Sequence, residues 1–333
     1  MSNFVNIIIP AISIDLLLLN CIKKCLSQTH NNFTISVVVE DDSKINLLNN
    51  LNKKKFNLYK VGNMNISSKR NLAAKKIRSD YLAFIDSDAY PDKNWLQNSL
   101  NCFDSKIIAV TGPTGLPFPN ETKMNKLVNF AKRSYFCTGK WSKRKYSKED
   151  FYITQTESCN FIIRSHVYKN LNGMDENLYI SEDTDLCNKI NNKYGEDKIY
   201  YSGKNKIYHK DRTFFNFLKQ RFVFGLFILK DIYFFQKIEK FILFIPLIAT
   251  LYFFLGLITF FISKTLFYYF LLSIIIIFSF LIMEIKKFKL TFFENIICCI
   301  FIIFANFSYS FGNILSFFGL SKLLAKSVYR RSK

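Results

Sequence analysis

The pattern of apolar and polar positions divides the chain into two parts. Up to about residue 212, short apolar runs alternate with segments in which apolar residues recur at helical spacing. From residue 241 onward the apolar runs are far longer, and about 17–25 such residues cross a bilayer. They predict membrane-spanning helices at Phe241–Ser263, Leu266–Met283 and, with polar interruptions, Ile296–Leu320. Three buried core helices in succession are the alternative, which this repetition disfavours.

In the first part, buried strands alternate with helices. The apolar runs predict strands at Val5–Ile9, Thr34–Val39, Asn57–Val61, Tyr81–Ile85, Lys106–Thr111, Cys159–Arg164 and Lys206–Tyr208. Helical spacing predicts helices at Ile14–Leu26, Ile45–Leu51 and Ser67–Ile77, and one beginning near Ser181. This alternation is typical of an α/β domain with a mostly parallel sheet that is covered on both faces.

Polar groups follow three of these strands at the points where the strands end. Pro10 closes the first, Glu40 and Asp41 the second, and Asp86 and Asp88 the strand at Tyr81–Ile85. Right-handed crossovers place the carboxyl ends of parallel strands at one edge, where open α/β sheets bind ligands. We therefore expect one crevice lined by oxygen ligands suited to a hard divalent cation and phosphates. A solvated turn is the alternative at each place.

Composition narrows the class of protein. The chain has 333 residues, half of them hydrophobic, and a formal net charge of +21. Its lysines are scattered and frequent near the apolar runs, which favours an anionic membrane surface over nucleic acid, although a biased base composition would also enrich lysine. The eight cysteines lack paired metal-binding spacing and predict free thiols in a reducing compartment. The apolar stretch Val5–Leu19 follows no basic segment, so no secretory signal is predicted.

Several short segments, in this order along the chain, resemble the family 2 glycosyltransferases of GT-A fold. The resemblance covers roughly residues 4–225. It rests on Val5–Pro10, Leu26–Phe33, Val38–Ser43, Lys69–Asn71, Asp86–Asp88, Gly173–Glu176, Ser181–Leu186, His209 and Gln220–Phe222. The resemblance implies transfer of a sugar from a nucleotide-diphosphate donor, usually with inversion, by a domain followed by membrane anchors.

The resemblance also implies a divalent cation, Mn²⁺ or Mg²⁺, at the donor diphosphate. It makes Asp88 the direct ligand, places Asp86 toward the ribose and the metal, and lets His209 complete the site. A metal would offset, as a Lewis acid, the charge that develops on the leaving diphosphate. For His209, a surface histidine beside Lys210 and Asp211 is the alternative.

The nucleotide-sugar site is predicted to include residues from several motifs. They are Pro10, Glu40, Asp41, Arg70, Asp86 and Arg221. Arg70 would bind the base or a phosphate through its planar guanidinium, unless it lies on a solvated helix face with Lys69. The alternative role of Arg221 is that of an anchor at the membrane interface. Asp42, Lys69 and Ala73 depart from the residues that the family commonly has at these places.

The segment Ser181–Thr184 predicts a helix start, with Ser181 as N-cap and acidic residues in the first turn. The resemblance implies Asp183 as the catalytic base, with Glu182 orienting the acceptor or the base. We expect the helix dipole to keep Asp183 ionised; dipole complementation alone is the alternative role of the two acids. The polar segment Pro117–Glu157 predicts an acceptor-side loop or a variable surface insertion.

Four regions are expected. They are a catalytic domain at residues 1–212, an amphipathic interfacial helix region at 213–240, two or three transmembrane helices at 241–320 and a basic tail at 321–333. The prediction is an inverting glycosyltransferase of the cell's inner or plasma membrane, with its catalytic domain cytoplasmic and a lipid-linked or glycan acceptor, serving surface polysaccharide or glycolipid synthesis. An inactive, membrane-anchored binding protein of the same fold is the alternative, and a nucleic-acid-binding protein is a remote third.

Overall fold

The computed structural model describes residues 3–51, 53–118, 120–178, 180–231, 237–321 and 323–324. The chain forms two compact units. The first comprises residues 1–119 and 143–210, and the second comprises residues 120–142 and 211–333. We describe each unit by itself.

The described residues form eleven strands and twelve α-helices. The strands are β1 (Val5–Pro10), β2 (Phe33–Val39), β3 (Phe56–Lys60), β4 (Tyr81–Ile85), β5 (Ala89–Pro91), β6 (Ala109–Thr111), β7 (Leu116–Pro117), β8 (Phe151–Tyr152), β9 (Asn160–Arg164), β10 (Ile199–Tyr201) and β11 (Ile207–His209). The helices are α1 (Leu16–Leu26), α2 (Ile66–Lys76), α3 (Trp95–Leu100), α4 (Lys123–Arg133), α5 (Tyr135–Thr138), α6 (Ser165–Asn170), α7 (Glu182–Tyr194), α8 (Phe214–Leu226), α9 (Ile228–Asp231), α10 (Lys237–Ile262), α11 (Lys264–Ile285) and α12 (Phe292–Phe317).

The first unit is built on an eight-stranded sheet in the order β3-β2-β1-β4-β9-β6-β10-β8. The first four of these strands are parallel, β9 is antiparallel to both of its neighbours, and β10 is parallel to β6. The predicted α/β class with a mostly parallel sheet is confirmed. Because β1, β2 and β4 are parallel neighbours, their carboxyl ends lie at one edge of the sheet, as expected.

Alternate side chains of the central strands enter two hydrophobic cores, one on each face. On one face Ile7 and Ile9 of β1 pack with Leu18 of α1. On the other face Ile8 packs with Phe84 and with residues of α2 and α7. Burial on both faces explains why these strands are continuous apolar runs in the sequence.

A three-stranded sheet in the order β5-β11-β7 adjoins the end of β4. Strand β5 begins directly after Asp88, and it pairs with β11 in antiparallel register, so that His209 is opposite Ala89. The Lys210 N–H also donates to the Asp88 carbonyl at 3.0 Å. This small sheet therefore brings His209, which is distant in sequence, to the acidic turn after β4.

Two predictions of secondary structure are wrong. The predicted helix Ile45–Leu51 is a short 3₁₀ turn at Ile45–Leu48. The segment Pro117–Glu157, predicted as a loop, contains α4 and α5. In α4 the Thr122 side chain caps the first turn, and apolar residues at helical spacing are buried, an amphipathic pattern that the loop prediction overlooked.

The second unit is helical. Three of its helices are long and apolar enough to cross a membrane: Phe241–Ile262, Lys264–Phe288 and Phe292–Phe317. Helix α12 is packed against α8, and Gly312 makes this possible, since a Cβ there would lie 2.2 Å from the Phe222 carbonyl oxygen. The Phe214 and Phe301 rings stack at 4.1 Å in the same interface.

The three apolar segments are thus helices long enough to cross a membrane, and the third is a continuous helix of 26 residues. Of the predicted interfacial region, residues 232–236 lie outside the described residues. The predicted basic tail also lies outside them, except for residues 321, 323 and 324.

Candidate active site

The acidic turn after β4 provides the first two groups of the site. Asp86 and Asp88 leave the sheet at the carboxyl edge, and their side chains are 29% and 41% exposed. They can therefore meet a ligand from solvent. The buried strand Tyr81–Ile85 holds their backbone in place.

His209 faces these two carboxylates. Its Nε2 lies 3.4 Å from Asp88 Oδ1 and 3.7 Å from Asp86 Oδ2. Its other ring nitrogen, Nδ1, lies 2.9 Å from the Lys210 carbonyl oxygen, which can only accept, so Nδ1 carries a proton and Nε2 is the ring atom that faces the carboxylates. The three side chains offer two oxygens and a nitrogen, which fits the ligand preference of Mn²⁺ and, with water, of Mg²⁺.

A buried arginine joins this acidic turn to a second acidic group. Arg70 of α2 is 1% exposed, and its guanidinium donates to Asp86 Oδ1 and to Glu182 Oε1, both at 2.9 Å. Burial alone would raise the pKa of Asp86, but the hydrogen bond to His209 and the Arg70 charge hold that pKa below its usual value. Asp86 is therefore ionised at neutral pH.

The alternative that Lys69 and Arg70 form a solvated helix face is wrong. Lys69 is 4% exposed, and its ammonium donates to the Ala11 carbonyl at 2.7 Å and to Glu40 Oε1 at 2.8 Å. The Lys69–Glu40 pair thus ties α2 to the end of β2. Lys69, which departs from the residue that the family commonly has at this position, therefore has an ion-pair partner, Glu40, in the same chain.

The predicted nucleoside-side residues lie at the same edge. Pro10 ends β1. Asp41 accepts from the Ser43 N–H at 2.9 Å, which, together with the Ser43 hydroxyl, lowers the pKa of Asp41. Asp42 pairs with Lys60 at 2.6 Å. The turn after β2 is thus ordered by its own side chains.

The turn before α7 is fastened to α2 through Asn71. The Asn71 amide donates to the Met174 carbonyl and to Glu176 Oε1, both at 2.8 Å. Its oxygen accepts from the Tyr168 hydroxyl at 2.6 Å. Gly173 has φ +70° and would place a Cβ 2.4 Å from that Asn71 oxygen, so glycine is required here. This anchoring sets where α7 begins.

Helix α7 starts differently from the prediction. Ser181 occupies the N-cap position but is left-handed, with φ 65°, and its side chain makes no capping hydrogen bond. Asp183 Oδ1 accepts instead from the Thr184 N–H at 2.8 Å, and Oδ2 lies 3.4 Å from the Ser158 N–H.

The expectation that the helix dipole keeps Asp183 ionised holds only in part. The pKa of Asp183 is raised to about 7, chiefly by burial and then by the negative charges of Glu182 and Glu157, while the positive charges of Arg144 and Arg70 lower it by less. In this case desolvation outweighs the dipole. A carboxyl group with this pKa is suited to take up and release a proton near neutral pH.

A charged cluster beside Asp183 was missed by sequence reasoning. Glu157 forms ion pairs with Arg144, at 3.3 Å, and with Lys145. Arg144 also donates to the Gln155 carbonyl at 3.1 Å. These residues fall in the segment predicted as a loop, where nothing in the charge pattern marks their partners.

Arg221 belongs to the second unit. Its guanidinium lies over the Tyr309 ring, 4.6 Å from the ring centroid. Its assignment to the nucleotide-sugar site, like the roles of the other site residues, stays a prediction. Within the first unit, contacts link Asp88, His209, Asp86, Arg70 and Glu182 in one series, and Asp183 is the next residue.

Comparisons with known proteins bear on the family of the chain. Residues 6–170 match the model of glycosyl transferase family 2. An uncharacterized glycosyltransferase of Haemophilus influenzae is 25% identical over 140 residues, which are 40% of this chain and 56% of that protein. The pre-mycofactocin glycosyltransferase of Mycobacterium tuberculosis is 25% identical over 119 residues, 35% of this chain and 24% of that protein. The chain thus spans little more than half of the first relative and about a quarter of the second.

Two solved structures are similar at lower identity. The crystal structure of TarS 1–349 of S. aureus has a TM-score of 0.48 and 17% identity, covering 71% of this chain and 68% of that one. The mannosyltransferase PcManGT of Pyrobaculum calidifontis, solved with GDP-Man and Mn²⁺, has a TM-score of 0.47 and 12% identity, covering 66% and 61%. Both likenesses are to the fold alone.

Replacing Arg70 by glutamine should destabilise the protein by about 3 kcal/mol, because it leaves two largely desolvated carboxylates without their cation. Thermal and urea unfolding of the full chain in detergent would measure this loss. Lys60→Gln is the matched control, since Lys60 is 63% exposed and its pair with Asp42 is a surface one, for which a change below about 1 kcal/mol is expected. Equal losses in both variants would contradict the structural role of Arg70.

Proposed function

The chain carries a family 2 glycosyltransferase domain of GT-A fold, and from this premise we propose that the protein transfers a sugar from a nucleotide-diphosphate donor to an acceptor hydroxyl, with inversion. The observation that supports the proposal is the series of contacts from Asp88 through His209, Asp86 and Arg70 to Glu182, the residue before Asp183, which runs from the proposed cation ligands to the neighbour of the proposed base. No observation on the described residues favours an inactive binding protein.

On the donor side, Asp88, Asp86 and His209 would hold a divalent cation, Mn²⁺ or Mg²⁺. When bound, that cation supplies a Lewis acid for the leaving diphosphate. Asp86 Oδ1 is held by Arg70, and its Oδ2 is turned toward His209. Pro10, Glu40 and Asp41, at the neighbouring strand ends, are proposed to contact the nucleoside.

On the acceptor side, Asp183 is the proposed base. As the acceptor oxygen attacks the anomeric carbon and the bond to the diphosphate oxygen breaks, the acceptor proton passes to the Asp183 carboxylate. The Glu182 carboxylate accepts a hydrogen bond from Arg70. We therefore propose that Glu182 orients the acceptor or the base and does not accept the proton. Its negative charge keeps the proton affinity of Asp183 high.

The apolar helices of the second unit are proposed to anchor the enzyme in the cell's inner or plasma membrane. With a cytoplasmic catalytic domain, the first two spans return the chain to the cytoplasm at Lys286, Lys287 and Lys289, as the positive-inside rule asks. A membrane-anchored enzyme meets acceptors at the bilayer surface. We therefore propose a lipid-linked acceptor, as surface polysaccharide or glycolipid synthesis requires.

Asp183→Asn should abolish sugar transfer, because an amide does not take up the acceptor proton, while donor binding survives. Transfer from a panel of nucleotide sugars, and donor binding by thermal shift with Mn²⁺, would be measured on the same preparations. Asp185→Asn is the matched control, since Asp185 is engaged by Lys189 at 2.7 Å. Transfer by Asp183→Asn at near the wild-type rate would refute the assignment, and a wild type that binds donors without ever turning them over would favour a binding protein.

Asp88→Ala should remove the dependence of donor binding on a divalent cation, because the variant loses the most exposed oxygen ligand of the site. Isothermal titration of the donor with and without Mn²⁺ would show it. Asp92→Ala, a nearby acidic change outside the cluster, should leave the metal dependence as in the wild type. An unchanged metal titration in Asp88→Ala would contradict its role as ligand.

The rate of transfer should rise with pH and reach half its maximum near pH 7, because only the ionised form of Asp183 accepts a proton. Glu157→Gln removes a negative charge that raises the pKa of Asp183, so the rise should move to lower pH. In Glu149→Gln, which alters an exposed pair with Lys143, the profile should stay in place. A pH profile of kcat/KM measures this, and an unmoved profile in Glu157→Gln would contradict it.

A further inference from the structure

A cysteine lies beside the carboxylate and the histidine of the acidic turn. Cys159 directly precedes β9 and is 7% exposed. One ligand atom each from Cys159, Asp86 and His209 lie within 4.8 Å of one another. Thiolate, imidazole and carboxylate form a donor set that suits zinc and related transition metals.

The Cys159 thiol differs from other buried thiols of the first unit. Cys21 Sγ donates to the Asp86 carbonyl at 3.5 Å, and Cys187 Sγ lies 3.9 Å from the Thr156 carbonyl. Among the residues that the structure describes, Cys159 Sγ makes no comparable hydrogen bond. A buried thiol without a hydrogen-bond partner, within 4.8 Å of a carboxylate oxygen and an imidazole nitrogen, indicates a metal ligand.

The orientation of His209 is an independent indication. Metal-bound histidines almost always donate their other ring N–H to a carbonyl or a carboxylate, which fixes the ring. His209 does so through Nδ1 and the Lys210 carbonyl. Its Nε2 lies 3.4 Å from Asp88 Oδ1 and 3.7 Å from Asp86 Oδ2. Tetrahedral bonds of about 2.1 Å set ligand atoms roughly 3.4 Å apart.

We propose that Cys159, His209 and Asp86 form a site for a thiophilic divalent cation such as Zn²⁺ or Co²⁺, with Asp88 within reach as a fourth ligand. On binding, the Cys159 thiol releases its proton to solvent and the thiolate sulfur bonds the metal. The site shares Asp86 and His209 with the proposed donor-cation site. Zn²⁺ is therefore expected to compete with Mn²⁺ there, and this consequence rests on the proposed function.

A sulfur ligand also affects which metal is bound. Thiolates favour zinc and cobalt over magnesium, whose preferred ligands are oxygens. The cluster should therefore bind Zn²⁺ and Co²⁺ much more tightly than Mg²⁺. Cys159 is thus proposed as the residue that distinguishes this site from one made of carboxylates and histidine alone.

Titration of the reduced full chain in detergent with Co²⁺ tests the proposal directly. The wild type should develop a near-ultraviolet thiolate-to-cobalt charge-transfer band, which oxygen and nitrogen ligands do not produce. Cys159→Ser should lose this band, and its affinity for Zn²⁺ should fall roughly tenfold or more. Cys102→Ser and Cys21→Ser, which remove a thiol outside the triplet, should keep the band. No band in the wild type, or an unchanged band in Cys159→Ser, would overturn the proposal.

X-ray absorption at the zinc edge of the wild type avoids reliance on any variant. A sulfur neighbour at about 2.3 Å is expected, and a shell of oxygen and nitrogen alone would overturn the proposal. Donor binding with Mn²⁺, measured on the wild type, is a separate readout. If the wild type does not bind a donor but shows the cobalt–thiolate band, the proposed glycosyltransferase activity is contradicted and the thiophilic site stands. If it binds a donor but shows no band, only the thiophilic site is rejected.

Discussion

The site depends on a single buried positive charge. Placing a guanidinium out of water costs several kcal/mol unless anionic partners surround it with good geometry. Arg70 finds two such partners, Asp86 from the end of β4 and Glu182 from the start of α7. These residues are 16 and 112 positions away from it along the chain. The need to compensate this charge holds the carboxylates of Asp86 and Glu182 at a fixed separation.

Backbone pairing provides the other half of the arrangement. The register of β5 with β11 sets His209 opposite Ala89, and so beside the acidic turn. Asn71 fixes the turn before α7 through three hydrogen bonds to Met174, Glu176 and Tyr168. Helix α2 thus contributes successive residues to different tasks: Lys69 to the end of β2, Arg70 to the carboxylates and Asn71 to the turn. A shift of this helix would disturb all three.

The fold and the acidic groups were largely predictable, because local patterns encode them. Strands buried on both faces are continuous apolar runs, so β1, β2 and β4 were found within a residue or two. The long apolar helices of the second unit were found because about 17–25 consecutive apolar residues are a strong local signal. The left-handed Ser181 was not predictable, since serine at a helix start ordinarily caps it. Helix α4 could have been predicted, because Thr122 caps it and its apolar residues recur at helical spacing, but the polar composition of residues 117–157 favoured a loop.

The sequence by itself determined the alternation of strands and helices, the edge at which the acidic residues gather and the presence of apolar helices after residue 240. These follow from periodicity and residue type, which each segment carries alone. Only the tertiary structure decided that Lys69 and Arg70 are buried ion-pair partners, that Asp183 has a pKa of about 7, and that Cys159 faces His209. Burial and charge proximity are properties of residues brought together from distant segments, and no local pattern specifies them.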